Sequence, residues 1–257
     1  MSTKTTIPSL LKLKDYVTLT GTIIGIIALI CGSFGTRDAV SLGFFLISIT
    51  LGTDLIDGYI ARKTGTINEM GKELDSLSDS LTFGIVPAVL TFQAFKTGAV
   101  FDFILVIGSI CFALGAILRL ARFNILAYPG YTGVPTPVSC LLMIGYFYFN
   151  YFHAFAYGGL TYPFLDISYY FVPFLLIFIG WLNITTYIKF GEKGKSVYII
   201  FILLAPLSPI FGLIGILNPT FVVSITVSII FLIAFILLLG WVLIHSFLLN
   251  LLKKGRK

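Results

Sequence analysis

Apolar runs of roughly the length that crosses a bilayer recur along the whole chain, separated by short polar or charged clusters. A helix needs about 20 apolar residues to span the hydrocarbon core, where every backbone hydrogen bond has to be satisfied internally. The runs therefore predict an all-α polytopic membrane protein with about eight transmembrane helices. The predicted spans lie at about 17–35, 39–59, 76–95, 103–123, 137–157, 169–188, 197–216 and 222–250.

The overall composition agrees with a single membrane domain. The chain is 58% hydrophobic and 11% charged, whereas about a quarter of the residues of a soluble domain are charged. No shift in composition marks a second domain, so residues 1–257 are predicted to form one unit. The segment IPSLLKLK, which precedes the first run, predicts a short N-terminal amphipathic helix on the membrane surface.

The distribution of basic residues predicts the orientation. With the N-terminus inside, all but two of the 17 Lys and Arg residues fall in cytoplasmic loops, the exceptions being Arg37 and Lys96. Both termini and the acidic stretch 54–79 are then cytoplasmic. Because the basic residues follow the topology rather than forming one patch, membrane lipid is an expected partner and nucleic acid is not.

Four aspartates stand out because charged groups beside apolar runs are unfavourable and usually functional. Asp54 and Asp57 share one face of the second predicted span. Asp75 and Asp79, one helical turn apart, share a face at the start of the third. The linker between the two helices is short and contains a Thr-Gly turn signal, so the helices are predicted to be antiparallel neighbours. The two acidic faces should therefore meet at the cytoplasmic rim.

Such a cluster predicts a divalent cation, because four close carboxylates repel strongly in a low dielectric. Donors that are all oxygen suit Mg²⁺, Mn²⁺ or Ca²⁺, and the sequence leaves open whether one or two ions bind. Gly58, Ala61 and Gly71 leave room for a ligand on the same faces, and Arg62 carries a planar fork suited to phosphate.

The spacing of these residues resembles the signature of the CDP-alcohol phosphatidyltransferases. The pattern is Asp54-x2-Asp57-Gly58-x2-Ala61-Arg62-x8-Gly71-x3-Asp75-x3-Asp79. The segments DSLSDSLTFGIVPA (75–88), RLARFN (119–124) and TGVPTP (132–137) are similar to the phosphatidylserine synthase branch, with Ser78 and Thr82 replacing its usual Ala and Ser. Near the N-terminus, KDYVT departs from the family's frequent P-N-x-x-T and keeps Thr18. The resemblance extends from about residue 15 to 137, and the spans at about 169–250 carry no readable motif.

The resemblance implies an integral membrane enzyme that forms a homodimer. It would transfer a phosphatidyl or archaetidyl group from CDP-diacylglycerol or CDP-archaeol to L-serine and release CMP. The implied metal ligands are Asp54, Asp57, Asp75 and Asp79, and Asp79 is also the implied general base. The implied contacts to the CDP-lipid are Gly58, Ala61, Arg62, Gly71, Thr18 and Lys72. Arg119 and Arg122 are the implied contacts to the serine carboxylate.

Two alternatives remain at this stage. A sibling enzyme of the family would use inositol phosphate or glycerol phosphate as the acceptor. An ion-coupled transporter would use the carboxylates to move a cation, although such sites usually lie at the bilayer midplane on broken helices. The choice between diacyl and archaeal ether lipids, the identity of the metal and the oligomeric state are not encoded in any motif that we can read.

Overall fold

A computed structural model describes residues 6–64, 69–125, 131–190, 210 and 220–254 of the chain, and the side chains at 61, 62, 64, 131, 189, 190 and 245–254 lie outside that description. The described residues are helical apart from connecting loops and one short antiparallel pair, β1 (Tyr131–Thr132) with β2 (Lys189–Phe190). The α-helices are α1 (Ile7–Leu10), α2 (Leu13–Ser33), α3 (Arg37–Thr64), α4 (Glu69–Asp79), α5 (Val86–Phe95), α6 (Asp102–Ile125), α7 (Thr136–Gly158), α8 (Asp166–Ile184) and α9 (Phe221–Lys254).

Six helices in the described part of the chain are long and apolar enough to cross a membrane, which fits an integral membrane protein. They are Leu13–Ser33, Arg37–Ile60, Asp102–Ile125, Thr136–Thr161, Asp166–Ile184 and Phe221–Ile244. The all-α prediction is thereby confirmed in outline, whereas the count of about eight is not. The predicted seventh span, 197–216, lies outside the described residues except for residue 210.

The third predicted span is helical but interrupted. Helix α4 continues into a π-helix at Ser80–Ile85 and then into α5, so each α-helical piece is shorter than a bilayer requires. The Val86 amide donates to the Leu81 carbonyl, five residues back. Pro87 follows directly and has no amide hydrogen with which to continue the α-helical pattern. The π-helix therefore lies where Pro87 would in any case remove one hydrogen bond from a continuous α-helix.

The predicted amphipathic helix at the N-terminus is not confirmed. Helix α1 is a single turn whose four residues are all exposed. Residues Leu11 and Lys12 separate it from α2, which begins at Leu13 and already contains Lys14. Only Leu13 and Lys14, the last two residues of IPSLLKLK, thus enter the first long helix.

Helix α7 forms the centre of the molecule. Most of its side chains are buried, and its aromatic residues pack against α3, α5 and α9. Phe147, for example, stacks on Phe44 of α3 with ring centroids 4.1 Å apart. By contrast, α2 and α6 expose rows of Ile and Leu, as expected for faces in contact with lipid.

Helices α6 and α8 approach each other through glycine. A Cβ at Gly108 would lie 2.6 Å from the Pro173 carbonyl oxygen, and one at Gly115 would overlap the backbone of Gly180. Small residues allow this close backbone packing, which drives helix association in lipid. The pairing fixes the C-terminal end of α6, where Arg119 and Arg122 lie.

Candidate functional site

The predicted acidic faces do meet. Asp54 and Asp57 near the end of α3 and Asp75 on α4 each offer a carboxylate oxygen, and these oxygens all lie within 4.8 Å of one another. Asp79, one turn further along α4, lines the same cleft. The four carboxylates that were predicted from spacing alone therefore share one site.

The cleft is narrow and opens to the surroundings of the protein. Three elements build it: α2, the end of α3, and α4 with the π-helix. Its lining residues are Thr18, Gly21, Thr50, Thr53, Asp54, Asp57, Asp75, Ser78, Asp79, Thr82 and Phe83. Carboxylates and hydroxyls dominate this lining, which suits a cation and a polar ligand rather than an apolar one.

Glycines of α2 let this helix close one side of the cleft. A Cβ at Gly21 would lie 2.6 Å from Thr53 Oγ1, and one at Gly25 would lie 2.5 Å from Thr82 Cγ2. Either position would push α2 away from α3 or from the π-helix if it carried a side chain. The glycines thus keep the Thr-rich wall of α2 against the carboxylates.

Hydroxyl groups of α2 bond to one aspartate and to one serine of the cleft. Thr18 donates to Asp57 Oδ2 at 2.8 Å, and Thr22, one turn later, donates to Ser78 Oγ at 2.7 Å. Thr18 was predicted from the family resemblance, whereas Thr22 and Ser78 were not predicted as site residues. The spacing T-x-x-x-T in TLTGT, with both hydroxyls on one helix face, is the signal that would have found Thr22.

A buried ion pair flanks the acidic residues. Lys14 Nζ lies 3.1 Å from Asp15 Oδ1, and both residues are less than 9% exposed. Lys14 is one helical turn from Thr18, and its ammonium attracts the carboxylates of Asp57 and Asp75. Burial raises the pKa of Asp75, which precedes the third predicted span, and Lys14 opposes that change. The segment that departs from the family pattern therefore places a cation beside the site.

The two predicted arginines have different surroundings. Arg119 is buried, and its guanidinium attracts the carboxylate of Asp79. Arg122, one turn later on α6, donates to the carbonyl oxygens of Ile184 at 2.7 Å, Thr132 at 2.7 Å and Asn183 at 3.4 Å. The structure thus places Arg119 where its charge acts on Asp79, and it joins Arg122 to backbone.

The remaining predicted contacts lie around the cleft. Gly71 is buried on α4 and Gly58 is half-buried on α3, while the side chains of Ala61 and Arg62 lie outside the described residues. Lys72 is exposed and donates to the Asn124 carbonyl oxygen at 3.1 Å. Asn124 also bonds Ser76 through its side-chain amide, at 2.9 Å from Nδ2 to Oγ. These bonds attach α4 to the end of α6, a link that the sequence did not reveal.

Comparison with known proteins points to one family. A sequence model of the CDP-alcohol phosphatidyltransferases matches residues 11–188, which include all the described residues of the cleft. The chain is 39% identical over 140 residues to the CDP-diacylglycerol–serine O-phosphatidyltransferase of Methanocaldococcus jannaschii, covering 54% of this chain and 62% of that protein.

Two further relatives show the same pattern. The archaetidylserine synthase of Methanothermobacter thermautotrophicus is 32% identical over 145 residues, covering 55% of this chain and 60% of its own. The CDP-diacylglycerol–serine O-phosphatidyltransferase of Bacillus subtilis is 34% identical over 114 residues, covering 42% of this chain and 63% of that protein. The chain thus spans about three fifths of the length of each of these relatives.

Proposed function

Because the chain belongs to the CDP-alcohol phosphatidyltransferase family, we propose that it transfers a phosphatidyl or archaetidyl group from a CDP-linked lipid to the hydroxyl of L-serine and releases CMP. The observation that carries this proposal is the cleft in which α3 and α4 bring four carboxylates together. The names of the relatives support serine as the acceptor. CDP-diacylglycerol and CDP-archaeol both remain candidate donors, since relatives of each kind match.

The donor set fits a hard divalent cation. Asp54, Asp57 and Asp75 would hold Mg²⁺ or Mn²⁺, because their oxygens already lie within 4.8 Å of one another and include neither imidazole nor thiolate. When bound, such a cation supplies positive charge against the diphosphate of the CDP-lipid and the leaving CMP. Thr18 keeps Asp57 in position through its hydrogen bond. We include Asp79 among the metal ligands, either of this ion or of a second one.

The reaction assigned to the cleft is one substitution at phosphorus. The serine oxygen forms a bond to the phosphorus on the lipid side, and the bond from that phosphorus to the bridging diphosphate oxygen breaks. The electron pair of the broken bond leaves with CMP. Asp79 accepts the proton of the serine hydroxyl, a role that general bases typically support with about 10²–10⁴ in rate.

Residues around the carboxylates are proposed to hold the substrates. Arg119 binds the serine carboxylate, because it is a buried cation close to Asp79. The proposed contacts to the CDP-lipid are Gly58, Ala61, Arg62, Gly71 and Lys72. The three hydrogen bonds from Arg122 to carbonyl oxygens make it the weaker candidate for a direct serine contact.

The orientation and the assembly are also proposals. A cytoplasmic site follows from the distribution of Lys and Arg, and it lets serine and CMP exchange with water while the lipid tails stay in the bilayer. Both termini are then cytoplasmic. A homodimer is expected from the family resemblance.

CMP release by purified protein in detergent tests the function. The assay supplies CDP-diacylglycerol or CDP-archaeol with Mn²⁺ and compares L-serine with inositol phosphate and glycerol 3-phosphate. We expect serine-dependent release that falls by about 10²–10⁴ in Asp79→Asn. Asp166→Asn is the matched control, since Asp166 is an exposed carboxylate in the first turn of α8.

Each other outcome has a defined meaning. Release with a phosphorylated acceptor would keep the reaction type and refute serine as the substrate. Release without any acceptor dependence, or none with either CDP-lipid, would refute the proposed transfer. Equal activity of Asp79→Asn and Asp166→Asn would remove Asp79 from the role of base.

A further inference from the structure

Arg122 connects two separate segments of the chain near the cleft. Its Nη1 donates to the Ile184 carbonyl oxygen at the end of α8, and its Nη2 donates to Asn183 of the same helix end and to Thr132 of β1. The guanidinium thus joins the end of α6 to the end of α8 and to the strap, which we define as residues 131–135.

The carbonyl groups at the end of α8 need such a partner. The last four carbonyls of a helix have no donor within the helix, and a cation there also interacts favourably with the helix dipole. The planar fork of arginine reaches two acceptors from one rigid group, which the single ammonium of lysine cannot reproduce with the same geometry. Arg122 therefore satisfies the end of α8 and holds the strap with the same guanidinium.

The strap lies directly against the end of α8. Gly133 has φ +81°, and a Cβ at this position would overlap the Asn183 carbonyl oxygen. The Gly133 amide donates to Ile188 at 2.9 Å, and the Val134 amide donates to the Leu182 carbonyl at 3.0 Å. Only a glycine without a side chain fits this left-handed, close-packed position.

The strap leads straight into the first turn of α7, a helix that packs against the π-helix on one side of the cleft. Ser139 donates to Asn183 Oδ1 at 2.5 Å, so this turn is also tied to the end of α8. The next residue, Cys140, is completely buried and interacts electrostatically with Asp79. The end of α8 thus fixes, through the strap and Ser139, the part of α7 that carries Cys140.

From this chain of contacts we propose that Arg122 is a positioning residue, which holds the strap so that the first turn of α7 keeps its place beside Asp79. It acts through backbone carbonyls and does not bind serine. This inference rests on the proposed function, because the reaction that Arg122 would support is the proposed transfer to serine. We call the hydrogen bonds from Arg122 to Ile184, Asn183 and Thr132 the clamp. Loss of the clamp would let the strap move. Misplacing groups at a reacting centre by about 1 Å can lower a rate by about 10²-fold.

Arg37 provides a matched control. It also donates to a backbone carbonyl, that of Tyr162, and its guanidinium lies 4.3 Å from the centre of the Phe164 ring. It begins α3, whereas Asp54 and Asp57 lie near the other end of that helix. About 17 residues separate Arg37 from Asp54, so Arg37 lies roughly 25 Å along the helix from the acidic residues. Removing Arg37 removes a comparable clamp without touching the site.

The kinetic test compares Arg122→Gln, Arg122→Lys, Arg37→Gln and Arg119→Gln with L-serine and with L-serinamide, which lacks the carboxylate. We expect Arg122→Gln to lower kcat about 10- to 100-fold with both acceptors, and to leave KM for the CDP-lipid unchanged. Arg122→Lys should recover only part of kcat. Arg119→Gln should impair serine more than serinamide, as a direct carboxylate contact would, and Arg37→Gln should keep the kinetics of the wild type.

Amide hydrogen exchange gives a second readout that does not depend on activity. The amides of Gly133 and Val134 should exchange faster in Arg122→Gln than in the wild type or in Arg37→Gln. The reason is that the strap has lost the hydrogen bond from Arg122 to the Thr132 carbonyl oxygen.

Three results would overturn the proposal. Loss confined to serine would make Arg122 a substrate contact, and unchanged kcat with a lowered Tm would make it purely structural. Unchanged amide hydrogen exchange in the strap of Arg122→Gln would show that Arg122 does not stabilise the strap. A wild type without serine-dependent CMP release would instead refute the proposed function, a result that is independent of any Arg122 variant.

Discussion

Asp57 shows how one carboxylate is kept beside an apolar helix. Its Oδ2 accepts the Thr18 hydroxyl hydrogen at 2.8 Å, and the buried ammonium of Lys14 lies one turn of α2 away from that hydroxyl. Asp15 accompanies Lys14 and also accepts the Lys12 amide hydrogen at 2.7 Å, which closes the first turn of α2. A buried charge without a partner would be strongly destabilising, so each of these groups depends on the next.

Lys14→Met should strengthen the binding of Mn²⁺ in the absence of lipid. The ammonium repels an incoming cation, and removing about 1 kcal/mol of repulsion corresponds to roughly fivefold tighter binding. Titration of Mn²⁺ in detergent, followed by electron paramagnetic resonance, measures the change. Lys12→Met is the matched control, because Lys12 lies two residues away and is exposed.

The double variant Lys14→Met/Asp15→Asn guards against an effect of the unpaired Asp15 carboxylate. It should bind Mn²⁺ more tightly than the wild type as well. Weaker binding in both variants, or equal changes in Lys14→Met and Lys12→Met, would contradict the electrostatic role of Lys14.

At the scale of elements, the contact between α6 and α8 decides where the basic end of α6 lies. Glycines on both helices bring the two backbones together, and α6 then carries Arg119 towards Asp79 and Arg122 towards the end of α8. The π-helix has a comparable effect on the acidic side. It separates α4, which carries Asp75 and Asp79, from α5. Side chains before and after the π-helix therefore point in directions that differ from those of one continuous α-helix.

Gly115→Ala should lower stability by about 1–3 kcal/mol, because its methyl group would overlap the backbone of Gly180 and force the helices apart. Thermal unfolding in detergent, followed by tryptophan fluorescence, measures the loss. Activity should also fall, since α6 carries Arg119.

Gly240→Ala is the control for this experiment. Among the described residues, a Cβ at Gly240 in α9 meets no atom within 4 Å, so this change should be neutral or slightly stabilising through the higher helix propensity of alanine. A Gly115→Ala protein that is as stable as Gly240→Ala would show that the close contact does not matter.

For the whole molecule, the site is a junction between helices that are separate in the chain. Asp54 and Asp57 come from α3 and Asp75 comes from α4, while α2 supplies Thr18 and Lys14. A ligand held by all three carboxylates would therefore bind the folded protein and not the unfolded chain. Binding of that kind stabilises the folded state by mass action.

Adding Mg²⁺ or Mn²⁺ should raise Tm relative to protein in a chelator. At 100 times the dissociation constant, the expected stabilisation is about 2.7 kcal/mol. Thermal unfolding with and without the metal tests this, and Asp57→Asn should abolish most of the shift. Asp38→Asn, at the opposite end of α3, should keep it. A metal-dependent shift of equal size in Asp57→Asn would place the cation elsewhere.

The class of the fold and the centre of the site follow from properties of the sequence alone. Apolar runs of bilayer length predict helices because nothing else satisfies the backbone in lipid, and aspartates three or four residues apart must share a helix face. These are properties of a single helix, so Asp54, Asp57, Asp75 and Asp79 could be predicted together, with a short linker to join the two faces.

The roles of the groups around these aspartates depend on how the helices pack in three dimensions. Arg119 and Arg122 are one turn apart in the same motif, yet Arg119 attracts the carboxylate of Asp79 and Arg122 binds carbonyls of α8 and β1. Lys72 bonds the end of α6, Lys14 turns inwards, and the helix through Asp79 widens into a π-helix. Spacing gives the angle of a side chain around its own helix, but its partner depends on how closely and at what height another helix packs. That depends on glycine contacts and carbonyl bonds between segments far apart in the chain.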